Sequence, residues 1–400
     1  MAFKELLELT QKQFMKKNPE ADLTFKVASE EPPPTGLIVD NPLLEYLLDR
    51  RFLAYGRFVL VYGKKGSMKT TLFYDMTKLF QRSGGDVVWI ETEHAIDLDY
   101  AKKQGVDLTR VAVLHPDSLE QGLSLAEMTI RNMPKAYPDG DVPVLVCFDS
   151  IAGATPEYEI DATHTFTDMQ PGLHARLMSR FLREMEKPLA NEKCVFLMLN
   201  QLKSKIGGFG YGEDSQDALI GGEAQFFHST LHFKMIKTAE LTAAAGDDGA
   251  VRKVGSVHKI QCKRNKLGRE GKNQEVEIDL YIEGGIDWWS PLIRKVSKEY
   301  SSVISRSGGY YSWKIENTMF IDPTTKKATP IDLEENYREA ELASIVMNSP
   351  QAKEHIRKAF GIPNLPPPRE IEEIEATRKK KRKGPKGEEP ASPKQVSLIE

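Results

Sequence analysis

From Arg57 onward, short β-branched or apolar runs alternate with stretches of helical spacing, and that alternation leaves few folds open to the chain. The runs are Phe58–Tyr62, Val87–Glu91, Val111–His115, Val144–Asp149 and Val195–Asn200, with helical stretches at Thr70–Gln81, Leu119–Asn132 and Leu173–Ala190. Strands separated by helices require right-handed crossovers, so the pattern predicts an α/β fold with a mostly parallel, twisted sheet covered on both faces. Three further runs, near Thr230–Met235, Ser256–Cys262 and Glu275–Tyr281, lack long helices between them. They are expected to extend the sheet by hairpins.

The flanks have a different character. Residues 3–17 place Phe3, Leu6, Leu7, Leu9, Phe14 and Met15 at helical spacing, before a proline-rich stretch from Glu30 to Thr35. So short an amphipathic helix cannot bury its apolar face alone; it either folds back on its own core or docks on a neighbouring copy. Beyond about Leu292 come a hairpin-like pair, GGYYSWKI and TMFID, and a helix around Ala352–Phe360. These suffice for a small α+β unit. After PNLPPP, an acidic stretch and the basic run Arg378 to Lys386 form a tail whose composition predicts disorder. The boundaries expected are therefore 1–34 for helix and linker, 35–291 for the core, 292–364 for the small domain and 365–400 for the tail.

Composition removes several classes of protein. No apolar run approaches the ~20 residues needed to cross a bilayer, and the charged N-terminus does not read as a signal peptide. A cytoplasmic location is expected. Cys147, Cys194 and Cys262 are scattered within apolar or β-prone runs without metal-ligand spacing, which predicts buried free thiols in a reducing compartment. A net charge of -3 argues against a uniformly basic nucleic-acid binder, so any such contact must come from local patches.

The segment YGKKGSMKTT, Tyr62 to Thr71, lies between a predicted strand and a predicted helix. A phosphate-binding loop needs inward-pointing backbone N–H groups, a lysine reaching the outer phosphates and a Ser or Thr for Mg²⁺. Gly63, Lys69 and Thr70 hold the required spacing, with Gly66, Ser67, Met68 and Thr71 completing the candidate ATP-binding set. Met68 stands where the motif usually has glycine. Downstream, PVLVCFDS is an apolar strand ending in Asp149, placed to support a Mg²⁺ ion. In VVWIETEHAIDLDYAKKQGVD, Glu91 and Glu93 compete as the carboxylate that polarises an attacking water. His94 reads as structural or active-site, and Tyr100 as a packing residue or a base-stacking one.

ETEHAIDLDYAKKQGVDL closely resembles the segment of the RecA-like homologous recombinase family that carries its catalytic glutamate. FDSIAGATPEYEI, GLHARLMSRFLREM, LNQLKSKIGGFGYG with IGGEAQFFHS, and KRNKLGRE resemble later family motifs in the same order. The likeness covers roughly residues 35 to 290, more weakly to about 360. It implies a RecA-like P-loop NTPase core using ATP and Mg²⁺. Glu93 rather than Glu91 would activate water, Gln201 would sense the γ-phosphate, and Thr70 and Asp149 would hold the metal. Arg264 and Lys266 would reach the neighbouring copy's ATP, and Tyr100 and Tyr281 would flank the base. Arg264 replaces the lysine of the bacterial enzymes, keeping charge but altering geometry.

The resemblance further implies two DNA-binding loops. In the first, Glu157 to Pro171, Phe166 or Met169 would wedge between bases. In the second, Lys203 to Phe226, Lys203 and Lys205 suit phosphates and Phe209 a stacking contact, while Gly221 and Gly222 permit close backbone approach. Arg176 is a further phosphate candidate. The expected function is an ATP-dependent recombinase that forms a helical filament on single-stranded DNA and pairs it with homologous double-stranded DNA, aided by loading or mediator proteins. The alternative on the same fold is a ring-shaped hexameric DNA helicase; a regulator that only binds nucleotide is a third reading. Met68 and the basic tail, where the bacterial enzymes end in an acidic one, point to a phage-encoded or otherwise specialised member.

Overall fold

The computed structural model describes residues 2–19, 33–161, 170, 172–204, 217–245, 250–269 and 274–363. It comprises two units, Met1–Thr35 and Gly36–Glu400. In the first, helix α1 (Ala2–Lys17) carries Glu5 in its opening turn and Lys16 and Lys17 in its last. Each charge sits at the helix end whose dipole favours it.

The second unit begins with β1 (Gly36–Ile38), α2 (Pro42–Leu48) and β2 (Phe52–Ala54). It then alternates through β3 (Arg57–Gly63), α3 (Lys69–Arg82), β4 (Asp86–Glu91), α4 (Leu98–Lys103), β5 (Val111–Leu114), α5 (Leu119–Ala136) and β6 (Val144–Asp149). A short α6 (Glu157–Ile160), α7 (Leu173–Ala190), β7 (Cys194–Ser204), β8 (Asp217–Leu219) and α8 (Ala224–His228) follow. The later strands are β9 (Leu231–Ala245), β10 (Ala250–Asn265), β11 (Gln274–Tyr281) and β12 (Gly285–Asp287).

These strands form one sheet in the order β12-β11-β10-β9-β3-β7-β6-β4-β5, with β8 paired to the end of β7. The half from β3 to β5 is parallel. Strand β9 joins β3 in parallel, and β10 to β12 extend the sheet from it by antiparallel pairing, as the absence of intervening helices predicts. Strands β9 and β10 run well past the predicted ends and pair along nearly their whole length.

Burial on both faces explains why the central runs are continuously apolar. Val59, Val61, Leu145, Cys147, Leu197 and Leu199 enter one core with Leu72, Phe73 and Phe80 of α3. Their neighbours Phe58, Leu60, Val146, Phe148, Phe196 and Met198 enter the other, against Leu123 and Ile130 of α5 and Phe181 and Met185 of α7. All three cysteines are buried and free.

Helix α9 (Trp289–Glu299) runs through position 291, where the sequence suggests a boundary. Its Leu292, Ile293 and Val296 share the first core with Trp313, Leu342 and Phe360. The run GGYYSWKI does not pair with TMFID, contrary to expectation. Instead β13 (Ile304–Ser307) pairs with β14 (Tyr310–Trp313), and β15 (Met319–Ile321) with β16 (Ala328–Pro330). The physical reason lies in the turns. Gly308, at φ +59°, closes the first hairpin; Asp322 Oδ1 accepts from the N–H groups of Thr324 and Thr325 in the second. Helices α10 (Glu339–Met347) and α11 (Pro350–Phe360) finish the unit. Arg357 of α11 donates to both carboxylate oxygens of buried Glu45 in α2, at 2.7 and 2.6 Å, and to Asp40 at 2.9 Å.

Candidate nucleotide-binding site

The parallel strands all point their C-terminal ends at one edge of the sheet, the edge where open α/β sheets bind ligands. Register places Gly63 beside Gln201, and Glu91 beside Asp149. The chain leaves β3 at Gly63, where a Cβ would approach the Met235 carbonyl to 2.4 Å, so a larger residue has no room there. Gly66 and Met68 both adopt positive φ, +78° and +63°. The turn therefore demands a left-handed residue where the usual glycine is absent, and Met68 supplies it under strain. Met68 is the N-cap of α3 but offers no side-chain cap, leaving that helix's first N–H groups directed at the loop.

Lys69 is buried, its ammonium lying 3.4 Å from the Gly63 carbonyl and 3.5 Å from that of Lys64. Burial lowers its pKa, while the Asp149 and Glu93 carboxylates push it back up. Thr70 Oγ1 donates to Asp149 Oδ2 at 3.0 Å. Burial raises the Asp149 carboxyl to about 7, opposed by the Thr70 hydrogen bond and assisted by the charges of Glu93 and Glu91. Ser67 Oγ is buried and has no hydrogen-bond partner among the described residues. A buried carboxylate held high by its neighbours, a hydroxyl beside it and an unpaired hydroxyl in the loop suit phosphate with a hard, oxygen-seeking cation.

The two glutamates separate cleanly by contact. Glu91 is buried, and its carboxylate accepts from the backbone N–H groups of Glu93, His94 and Ala95 at 3.0, 2.9 and 3.1 Å. It holds the loop. Glu93 is exposed; its Oε1 accepts from Ser150 Oγ and from Gln201 Nε2, the latter at 2.8 Å. Of the pair, Glu93 is therefore the carboxylate in contact with Gln201.

Tyr100 packs 6.0 Å from Tyr74 and meets the Thr71 side chain. Burial raises its phenol above the ordinary value. Gln104, capping α4, donates 3.4 Å to the Glu283 carbonyl in the turn that follows Tyr281. The elements bearing Tyr100 and Tyr281 thus meet at the same edge of the sheet.

Arg264 and Lys266 lie elsewhere. They donate to the carbonyls of Phe226 and Phe227, and Asn265 pairs with Leu231, which in turn pairs with Val59 near the start of β3. Four residues of strand, about 13 Å at 3.3 Å each, separate that level from Gly63. Neither cation reaches its own chain's phosphate loop.

Of the candidate nucleic-acid residues, Met169, Lys205 and Phe209, with Phe166, lie outside the described residues. Lys203 is in β7, opposite Ala218 of β8. Arg176 is exposed near the start of α7, and its guanidinium lies 3.5 Å from Gln170 Oε1. Gly221 and Gly222 have φ of +82° and +76°. A Cβ on Gly221 would come within 2.9 Å of His174, and one on Gly222 within 2.7 Å of Ala175. The end of the second loop therefore lies directly against the helix that leaves the first.

Sequence reasoning missed the amide pair that fastens this junction. Buried Asn200 donates at 2.8 Å to the Ile220 carbonyl and at 2.8 Å to Gln225 Oε1. Its own Oδ1 accepts from the Gln201 N–H at 2.7 Å. A polar residue closing the apolar run VFLML was the available signal.

A mostly parallel sheet with a phosphate loop, a buried carboxylate and an exposed glutamate at its C-terminal edge defines the P-loop nucleotide-hydrolysing class. The model of the RecA N-terminal domain matches residues 43–287. A protein RecA of Chloroherpeton thalassium is 32% identical over 271 residues, spanning 68% of this chain and 70% of that one. Those of Geobacter sulfurreducens and Bartonella bacilliformis are 33% and 34% identical, over 64% and 65% of this chain and 70% and 69% of theirs. The chain belongs to the RecA family, a family of ATP- and DNA-binding proteins of recombination and repair.

Proposed function

We propose that the protein is a DNA-dependent ATPase that assembles as a helical filament on single-stranded DNA and exchanges strands with a homologous duplex. The observation that carries this reading is the chain of contacts from Glu93 through Gln201 and Asn200 to Ile220 and Gln225. It links the proposed hydrolytic carboxylate to the base of the proposed DNA-binding loop within one hydrogen-bonded run.

In this reading Lys69 and the α3 N-terminus bind the phosphates, and Thr70 and Asp149 hold Mg²⁺. That ion would neutralise charge on the transferring phosphoryl group. Glu93 takes a proton from the attacking water, held in place by Ser150. Gln201, relieved of Glu93 by a γ-phosphate, shifts the loop that follows it. ATP thereby favours a DNA-tight state, and hydrolysis releases it. Arg264 and Lys266 act on the next copy's nucleotide, because their own phosphate loop lies beyond reach. Helix α1 docks on a neighbouring copy, so a chain truncated before Pro34 should not form filaments.

The deciding experiment measures ATP hydrolysis with and without single-stranded DNA and images the same samples by electron microscopy. DNA-stimulated hydrolysis with helical filaments is expected. Closed rings would replace this reading with the helicase, and binding without turnover would replace it with a nucleotide-gated regulator.

A further inference from the structure

One cluster beside the nucleotide site has no direct role in holding the nucleotide. Strands β4 and β5 pair in parallel with Ile90 opposite Leu114, so the next residues, Glu91 and His115, emerge side by side. An ionised carboxylate offers about four lone-pair sites. Three of Glu91's are taken by backbone N–H groups, and a further contact is made by His115 Nδ1, 3.2 Å from Oε2. His94 has φ +50°, a conformation that costs a non-glycine residue about 1 kcal/mol. That backbone carries its imidazole over the ring of His115, with centroids 5.7 Å apart and planes 21° from parallel. One ligand-type atom from each of Glu91, His94 and His115 lies within 4.8 Å of the others.

We infer that Glu91, His94 and His115 form a binding site for a single zinc-like divalent cation, separate from the Mg²⁺ site of the nucleotide. Two ligand atoms each about 2.1 Å from a tetrahedral zinc ion stand about 3.4 Å apart. The separation of 3.2 Å between His115 Nδ1 and Glu91 Oε2 already approaches that spacing, so a cation fits between these two with little movement, and the His94 ligand atom closes in from within 4.8 Å. Imidazole pairs select zinc, copper or nickel over magnesium. Both histidines are exposed, which gives the ion an entry path and leaves solvent for the remaining position. Electrostatics favour it as well, because Glu91, Glu93 and Asp149 crowd this edge and a dication relieves their repulsion. A bound ion would tie the end of β5 to the loop that carries Glu93.

The test needs no nucleotide, so it is independent of the recombinase reading. The full-length protein, stripped with a chelator, is titrated with Zn²⁺ in a calorimeter and with Co²⁺ in a spectrophotometer. One equivalent of Zn²⁺ is expected to bind in the presence of excess Mg²⁺, and Co²⁺ to give the intense visible absorption of a four-coordinate ion. His115→Gln should abolish both signals, and His94→Asn should weaken binding by at least about ten-fold. Asparagine tolerates the left-handed backbone, so His94→Asn decides the matter alone should His115→Gln not fold. Absence of binding by the parent, displacement by Mg²⁺, or equal affinity in the variants would overturn the site.

Discussion

At position 68 two demands conflict. The phosphate loop needs a left-handed residue before Lys69, and this chain provides methionine at φ +63°. Met68→Gly should remove that strain, partly offset by glycine's greater freedom in the unfolded chain. The expected net gain is below about 1 kcal/mol, or about 1 °C in melting temperature, and a differential scanning calorimeter would show it. Glu93 is the second residue whose chemistry can be isolated. Glu93→Gln keeps size and hydrogen bonding but cannot accept a proton. Hydrolysis should fall by about 10²- to 10⁴-fold, with ATP affinity retained, as single-turnover kinetics and equilibrium binding would record. Hydrolysis at the parent's rate would remove Glu93 from the mechanism. The residue types in the sequence leave Glu91 and Glu93 equivalent, because both follow the same apolar strand. Their separation arises from three backbone N–H groups that turn back onto Glu91, a loop conformation that residue types alone do not specify.

Arg357 ties helix α11 to α2 through fully buried Glu45, alongside packing of Phe360 on Tyr46. Burial raises the Glu45 carboxyl, and the Arg357 guanidinium draws it back down. Arg357→Ala would leave a carboxylate without its counter-charge and should cost about 3–5 kcal/mol. Urea unfolding would measure the loss; a change under about 1 kcal/mol would mean that water replaces the arginine. The predicted strands and helices of the parallel half of the sheet fall close to the observed ones because burial on both faces produces long apolar runs that are hard to misread, whereas β9 and β10 extend well beyond their predicted ends. Of the two small hairpins after α9, only one strand of each was legible, β14 in GGYYSWKI and β15 in TMFID, and neither partner was. Their partners depend on Gly308 and on the Asp322 turn, and each strand is too short to announce its neighbour.

Across the whole molecule, two buried histidines set an acid limit. Burial, aided by the charge of Arg264, lowers His232 to about 4, and burial lowers His258 to about 4 with a contribution from Lys237. A base with a folded pKa below its unfolded value of about 6.5 binds more protons when unfolded, so stability rises with pH. The loss should begin below about pH 6.5 and continue to about pH 4, reaching up to about 2 kcal/mol per histidine at pH 5. Denaturant titrations at pH 7 and 5 would measure it, and His258→Gln should reduce the slope. Placement of Arg264 and Lys266 at the far edge of the sheet leads to a second expectation. Lys69→Ala and Lys266→Ala proteins, each inactive alone, should recover part of their ATP hydrolysis when mixed, since some mixed interfaces would hold both intact residues. Absence of recovery would assign Lys266 to its own subunit.

The α/β class, the strand–loop–helix junction from Tyr62 to Thr71 and the position of Asp149 could be read from residue order, because periodicity and local turn chemistry act between near neighbours. Tertiary structure alone decided three things: which glutamate faces Gln201, how Asn200 and Gln225 fasten the second loop, and that Arg264 and Lys266 lie away from their own phosphate loop. Each depends on strand order and register between residues distant in the chain. Hydrophobic patterning reports which face is buried, but it carries no record of which strand lies alongside.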